Sequence, residues 1–181
     1  MLLSIVVPVY NEEENIANFY KAVTDVMSGL TYDYELIFVD DGSSDSSAMI
    51  LREIAFNDKH VKVLLLARNF GHQMALTCGL DYAHGDAVIT MDGDMQHPPA
   101  LIPELVRLWE SGYDVVRTIR DSTDDASWAK SFTSKYYYKL MNKMADVPIV
   151  EGGSDFRLMN SKALGTLKRF REHGRFLRGI V

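Results

Sequence analysis

Short apolar runs rich in Val, Ile and Leu alternate with segments of helical periodicity from the first residues to about position 120, and few folds accept that rhythm. Residues 2–9, 34–39, 61–67, 87–91 and 114–119 read as strands, and residues 13–27, 46–57, 73–83 and 100–111 between them read as helices. The strand runs are apolar throughout, without an inward-outward alternation, which is the pattern of strands buried on both faces. This predicts an α/β fold with a mostly parallel central sheet and right-handed crossovers. Ligands in such folds bind beyond the carboxyl ends of the strands, so the residues that follow each run carry the functional argument.

The strand at 87–91 ends in Asp92-Gly93-Asp94-Met95-Gln96-His97-Pro98-Pro99, with two carboxylates one residue apart. Gly93 lets the backbone turn sharply, so side chains at i and i+2 can converge on one cation instead of facing opposite ways. Carboxylate oxygens of this pair, with Gln96 as a third oxygen, suit Mg²⁺ or Mn²⁺. The plainer alternative is a turn whose aspartates cap the next helix. His97 is left out of the metal set, because one His beside a turn more often makes a structural hydrogen bond.

The strand at 34–39 ends in Asp40-Asp41-Gly42-Ser43-Ser44-Asp45. A carboxylate there can accept hydrogen bonds from a base or a ribose, and Asp45 is placed to cap the following helix. The first strand runs into Tyr10-Asn11-Glu12, where Tyr10 offers a ring to stack on a flat base and Asn11 offers a helix cap or a ligand hydrogen bond. No Gly-x-Gly-x-x-Gly or Walker-type phosphate loop occurs, so a bound diphosphate needs a cation held by residues such as Asp94 to offset its charge.

At 181 residues and 47% hydrophobic, the chain suits one globular domain. The single cysteine, Cys78, excludes an intramolecular disulfide and any multi-cysteine metal site. No basic leader precedes the first strand, and no apolar run approaches the roughly 18 residues of a membrane-spanning helix. The net charge of −6 hides an asymmetry: residues 1–125 hold 8 basic and 21 acidic side chains, and residues 126–181 hold 11 and 4. An acidic body excludes nucleic acid as a general partner, while the basic final third suits an anionic surface or ligand. A polar run at 121–127 reads as an exposed loop. The next segment, 128–145, reads as a helix that interleaves Phe132, Tyr136, Tyr137 and Tyr138 with Lys130, Lys135, Lys139 and Lys143. Such a helix suits a membrane surface, or else a core position with snorkelling lysines.

Val7-Pro8-Val9-Tyr10-Asn11-Glu12, Asp40-Asp41-Gly42-Ser43, Asn69-Phe70-Gly71-His72-Gln73 and the Asp92–Pro99 stretch, taken in order, resemble the inverting family-2 glycosyltransferases. Within them the resemblance is to the polyprenyl-phosphate hexosyltransferases, the group of dolichyl-phosphate mannose synthase and the bactoprenol-phosphate glucosyltransferases. It runs through Glu151-Gly152-Gly153-Ser154-Asp155-Phe156-Arg157-Leu158 to Arg175-Phe176-Leu177-Arg178-Gly179.

The resemblance implies a GT-A type, Rossmann-like nucleotide-diphospho-sugar transferase fold and a UDP- or GDP-hexose donor. By matching position, Pro8, Tyr10, Glu12, Asp40 and Asp41 hold the base and ribose, Asp92 the sugar or ribose side, and Asp94 with Gln96 the Mg²⁺ or Mn²⁺. Asp155 matches an acidic residue proposed as base in some relatives, against the alternative of a structural salt bridge with Arg157. Arg175 and Arg178 face the pyrophosphate or the acceptor phosphate, against the alternative of a solvated helix end. No individual role attaches to His72 or Gln73.

The implied reaction is metal-dependent transfer of a hexose to a polyprenyl phosphate at the cytoplasmic face of a membrane. Residues 1–120 form the nucleotide-sugar part and residues 121–181 the basic acceptor-facing and membrane-facing part. Bacterial members usually continue into transmembrane helices, which would begin where this chain stops at Val181. A glycosyltransferase acting on a glycan hydroxyl, and a nucleotide-sugar-binding module without turnover, are the competing readings. A homo-oligomer is compatible with all three.

Overall fold

A computed structural model describes residues 1–119 and 153–169. The polar run at 121–127, the aromatic basic segment at 128–145, and Arg175 and Arg178 lie outside the described residues. The described elements are β1 (Leu2–Val9), α1 (Ile16–Ser28), β2 (Asp33–Asp40), α2 (Ser47–Asn57), β3 (Val61–Leu65), α3 (His72–Tyr82) and β4 (Ala87–Thr90). A 3-10 turn (Pro99–Leu101) then leads into α4 (Ile102–Glu110), followed by β5 (Val115–Ile119), β6 (Gly153–Asn160) and α5 (Ser161–Arg169). Every strand and helix expected up to position 119 is present, with no end shifted by more than three residues.

The six strands form one sheet in the order β3-β2-β1-β4-β6-β5. β1 pairs in parallel with β2 and with β4, and β2 with β3, whereas β6 runs antiparallel to both of its neighbours. The chain leaves β1 toward β2 and β3, then returns to place β4 on the other side of β1. That reversal opens a crevice beyond the carboxyl ends of β1 and β4, the usual ligand position in open α/β sheets.

Both faces of the sheet are packed. Leu3, Ile5, Val7 and Val9 of β1, Leu36 and Phe38 of β2, and Ile89 of β4 share one core with α1, α2 and α4. Val6, Ile37, Val39 and Val88 face the other way, against α3 and α5. This explains the unbroken apolar runs of the sequence. α1 buries Ile16, Phe19, Val23 and Met27, one stripe at helical spacing. α3 lies close on the sheet because Gly79 has no side chain: a Cβ there would stand 2.3 Å from Val6 Cγ1 and 2.9 Å from Val39 Cγ2. The close approach sets the N-terminal end of α3 at the crevice.

β6 and α5 had no counterpart in the sequence reading. Asp155 and Arg157 alternate with Phe156 and Leu158, which suggests a strand with one wet face, yet all four are buried. The two charged side chains answer each other inside the protein, with Arg157 Nη2 at 2.6 Å from Asp155 Oδ1. Residues 153–169 thereby join the same sheet and core as residues 1–119.

A second buried carboxylate, Glu35 on β2, ties down the end of the sheet opposite the crevice. Its Oε1 accepts hydrogen bonds from Ser4 Oγ (2.5 Å) and the His84 N–H (2.8 Å), and its Oε2 accepts one from Lys62 Nζ (2.6 Å). Burial alone would raise the Glu35 carboxyl, but the donors Lys62, Ser4 and His84 together outweigh it and hold the group below its ordinary value. A carboxylate depressed by folding stabilises the native state above the unfolded-state value and loses that contribution as pH falls through the folded-state value. Glu35→Gln keeps the shape and removes the charge. It is expected to lower stability by about 1–2 kcal/mol at neutral pH, a modest figure because Lys62 is half exposed. Thermal melts taken from pH 7 down to 3 should show the deficit shrinking below about pH 4.5, the ordinary value from which the Glu35 carboxyl is depressed. A deficit constant across that range would remove the linkage.

Candidate active site

The ends of β1, β2 and β4 turn into loops that are stitched to one another before they reach the cleft. Asn11, at φ 54°, donates its N–H to Ser43 Oγ, and its Oδ1 accepts the Ser44 N–H at 2.8 Å. It thus joins two loops and does not cap α1. Asp45 accepts the Glu13 and Ser47 N–H groups and so is a second stitch; the N-cap position of α2 is Ser46, not Asp45, and it makes no side-chain cap hydrogen bond. Glu12 accepts from Asn15 Nδ2 at 2.6 Å, while its N–H donates to Ser47 Oγ.

Asp41 uses both carboxylate oxygens on backbone: Oδ1 accepts the Phe70 N–H and Oδ2 the Gly71 N–H, each at 2.8 Å. Beside it, Gly42 adopts φ 69° and lies against the Arg68–Asn69 backbone. The loop before α3 is therefore held from below, and His72 is the next residue after the clamped Gly71. Asp40, 3% exposed, has one oxygen within 3.3 Å of the Ser43 N–H, and its Oδ1 is buried without a hydrogen-bond partner.

The turn after β4 is shaped by its own side chains. Asp94 Oδ1 accepts the Gln96 N–H at 3.0 Å, and Met95 takes φ 62° to complete the bend. His97 folds back so that its Nδ1 accepts the Asp92 N–H at 3.0 Å, and its ring lies 5.5 Å from that of Phe156. His97 thus closes the turn, in the structural role expected of it. The 3.4 Å approach of the same Nδ1 to Asp92 Oδ2 is secondary, since a nitrogen that accepts from a backbone N–H offers no proton to a carboxylate.

β6 completes the site from the opposite direction. Thr90 pairs with Arg157 in an antiparallel register, so Asp92, two residues after Thr90, and Asp155, two residues before Arg157, come to the same end of the ladder. Thr90 Oγ donates to the Asp155 carbonyl at 2.5 Å, which fixes the start of β6 against the end of β4. His72 Nε2 lies 3.5 Å from Asp92 Oδ1 and 3.5 Å from Asp155 Oδ2. Two oxygens equally far from one atom can be no more than 7 Å apart. Two charges at that separation repel by about 2 kcal/mol or more at an effective dielectric of about 20. Burial pushes the Asp92 carboxyl above its ordinary range; His72 and His97 oppose the shift, and Asp155 and Asp94 add to it. Asp92 Oδ1 accepts no hydrogen bond among the described residues although it is buried.

These groups line one cleft of about 410 Å³ bounded by Pro8, Tyr10, Glu12, Asp41, Asn69, His72, Gln73, Asp92, Asp94 and Asp155. Seven of the residues singled out in the sequence are thus brought together. Asp40 sits buried at the end of β2 outside that lining, and Gln96 is exposed beyond it. Arg175 and Arg178 lie outside the described residues. His72 and Gln73 are the additions. The signal for them was the Asn69-Phe70-Gly71-His72-Gln73 motif of the family resemblance; that His72 Nε2 reaches two carboxylates is seen only in the structure.

The matching family model is Glycosyl transferase family 2, over residues 4–167. The chain belongs to this family. Among curated proteins it is 44% identical over 178 residues to the uncharacterized glycosyltransferase YkcC of Bacillus subtilis, covering 98% of this chain and 55% of that one. It is 40% identical over all 181 residues to the bactoprenol glucosyl transferase of Shigella phage SfV, 59% of whose length is matched. The chain therefore spans a little over half the length of these relatives. Among solved structures, the mannosyltransferase PcManGT of Pyrobaculum calidifontis in complex with GDP-Man and Mn²⁺ superposes with a TM-score of 0.61 at 19% identity, over 91% of this chain and 46% of that one. S. aureus TarS 1–349 in complex with UDP-GlcNAc gives 0.59 at 20%, over 93% and 48%. The fold is that of the GT-A glycosyltransferases. Among the described residues no helix is long and apolar enough to cross a membrane.

Among the described residues no three His, Cys, Asp or Glu side chains converge as a metal cage. A divalent-cation site beside a diphosphate does not need one. Mg²⁺ and Mn²⁺ are commonly held by one or two carboxylates with substrate phosphates and water supplying the rest. Asp94 and Gln96 on one turn, beside the buried and hydrogen-bond-free Asp92 Oδ1, are oxygen donors of that kind.

Proposed function

We propose that this chain is the catalytic part of a metal-dependent inverting hexosyltransferase that moves a hexose from a UDP- or GDP-sugar to a polyprenyl phosphate at the cytoplasmic face of a membrane. The observation that carries the reading is the meeting of carboxylates from β4 and from the antiparallel β6 in one cleft at the crevice beyond β1. The likeness to bactoprenol glucosyl transferases over the whole chain supports the lipid acceptor.

In this reading Tyr10, about half exposed at the rim, stacks on the base, and Pro8, Glu12 and Asp41 shape its seat. Asp40, with one buried oxygen free of hydrogen bonds, accepts from the base or the ribose. Asp92 faces the sugar. Asp94 and Gln96 hold Mg²⁺ or Mn²⁺, which neutralises charge on the departing nucleoside diphosphate when bound. An acceptor phosphate oxygen forms the new bond to the anomeric carbon as the bond to the diphosphate oxygen breaks, so configuration inverts and the diphosphate leaves with the electron pair. That oxygen is already anionic, and Asp155, held by Arg157, orients it with little need to remove a proton. Arg175 and Arg178 steady the phosphates.

The test is release of nucleoside diphosphate from a panel of UDP- and GDP-hexoses with Mn²⁺ or Mg²⁺, with and without polyprenyl phosphate in detergent. Release stimulated at least tenfold by the lipid, with a glycosylated lipid as product, is the expected result. Metal-dependent donor binding without lipid stimulation would move the acceptor to a glycan hydroxyl.

A further inference from the structure

We propose that His72 is a positioning residue of the transfer reaction: its Nε2 stands between the Asp92 and Asp155 carboxylates and holds the donor-facing and acceptor-facing sides of the cleft in register. The kinetic part of this inference rests on the hexosyl-transfer reading; the structural part does not. Five carboxylates line the described cleft, those of Glu12, Asp41, Asp92, Asp94 and Asp155, and His72 is the one basic side chain among the described residues that line it. Nε2 lies within ion-pair reach of one oxygen of each carboxylate.

Three features place the ring. Asp41 fixes the Phe70 and Gly71 N–H groups, Gly71 takes φ 94° to begin α3, and Gly79 lets α3 press onto β1 and β2. The imidazole thus approaches from a third element toward two strands that run in opposite directions. The side chain is 42% exposed while Asp155 is 2% exposed, so His72 forms the solvent-side cover of a buried acid. His72 approaches Asp155 on Oδ2, the oxygen opposite the one that Arg157 holds.

Two measurements on the full chain test this. In the first, thermal melts of His72→Leu, Asp155→Asn and the double variant are compared. His72→Leu is expected to lower the melting temperature by about 2–4 °C in the parent, and by less than half of that when Asp155 is already Asn. Equal losses in both backgrounds would overturn the clamp, whatever reaction the protein performs. In the second, kcat and donor KM are read for His72→Leu and His72→Gln. Leu is expected to lower kcat about 30–100-fold with KM changed less than threefold, and Gln, whose amide N–H reaches the place of Nε2, to recover at least tenfold. A kcat within threefold of the parent for His72→Leu, or no difference between Leu and Gln, would overturn the positioning role. If the parent transfers nothing to a polyprenyl phosphate, the lipid-acceptor reading falls while the melting cycle still decides the clamp.

Discussion

Asp94→Asn is expected to abolish metal-dependent nucleotide binding and to lower hexosyl transfer by about a thousandfold, equivalent to about 4 kcal/mol of transition-state stabilisation. The fold should be untouched. Asp94 is half-buried, and the hydrogen bond it makes, accepting the Gln96 N–H on Oδ1, is one that an Asn side chain repeats. The melting temperature should therefore move by no more than the ±0.5 kcal/mol or so of an ordinary surface change. Calorimetric titration of UDP or GDP in the presence and absence of Mn²⁺, beside the diphosphate-release assay, separates the two effects. A variant that binds nucleotide with the parent's metal dependence would show that the cation is held elsewhere.

Gly42→Ala should be the most destabilising single-methyl change in the described structure. The added Cβ would stand 2.5 Å from the Arg68 carbonyl carbon and 2.7 Å from the Asn69 nitrogen, both backbone atoms of a loop fixed by Asp41. In addition, φ 69° is strained for any residue with a side chain. Strain of about 1–3 kcal/mol and overpacking of about 1–3 kcal/mol together give about 2–6 kcal/mol, the middle of which is a drop of roughly 10 °C in melting temperature. Because the loop that must shift carries His72, activity measured well below the melting point should fall as well. A stable variant with full activity would mean that the two loops are not packed as described.

What could be read from the sequence was whatever local pattern dictates. The apolar runs that became β1, β2 and β4 are buried on both faces, so their composition alone revealed a covered parallel sheet. Asp92 and Asp94 were legible because an apolar run that stops at charged residues marks a strand end. β6 was not, for the reason that makes it useful. Asp155 and Arg157 satisfy each other inside the protein, and a buried ion pair reads in sequence as a polar face. His72 escaped for a different reason: its meaning lies in a distance to two carboxylates that are 20 and 83 residues away along the chain. Asp41 shows the converse. It was legible as a strand-end acid, and the structure adds that both of its oxygens are taken up by the Phe70 and Gly71 amides.

The insertion of β6 between β4 and β5 also sets the order in which a working enzyme can come into being. On a ribosome, β1 to β4 emerge first and can pair in parallel among themselves, yet β4 is then a bare edge and β5 has nothing to pair with. Asp155 arrives more than thirty residues after β5, and among the described elements its strand is the one that fills the gap. A nascent chain can thus pair β1 to β4 and form their loops long before Asp155 is made, so the two sides of the cleft meet only once β6 is in place. The same delay leaves an unpaired strand edge open during synthesis, the feature most prone to wrong pairing with another chain. Late completion of the sheet therefore delays the cleft and leaves a strand edge open through one and the same strand.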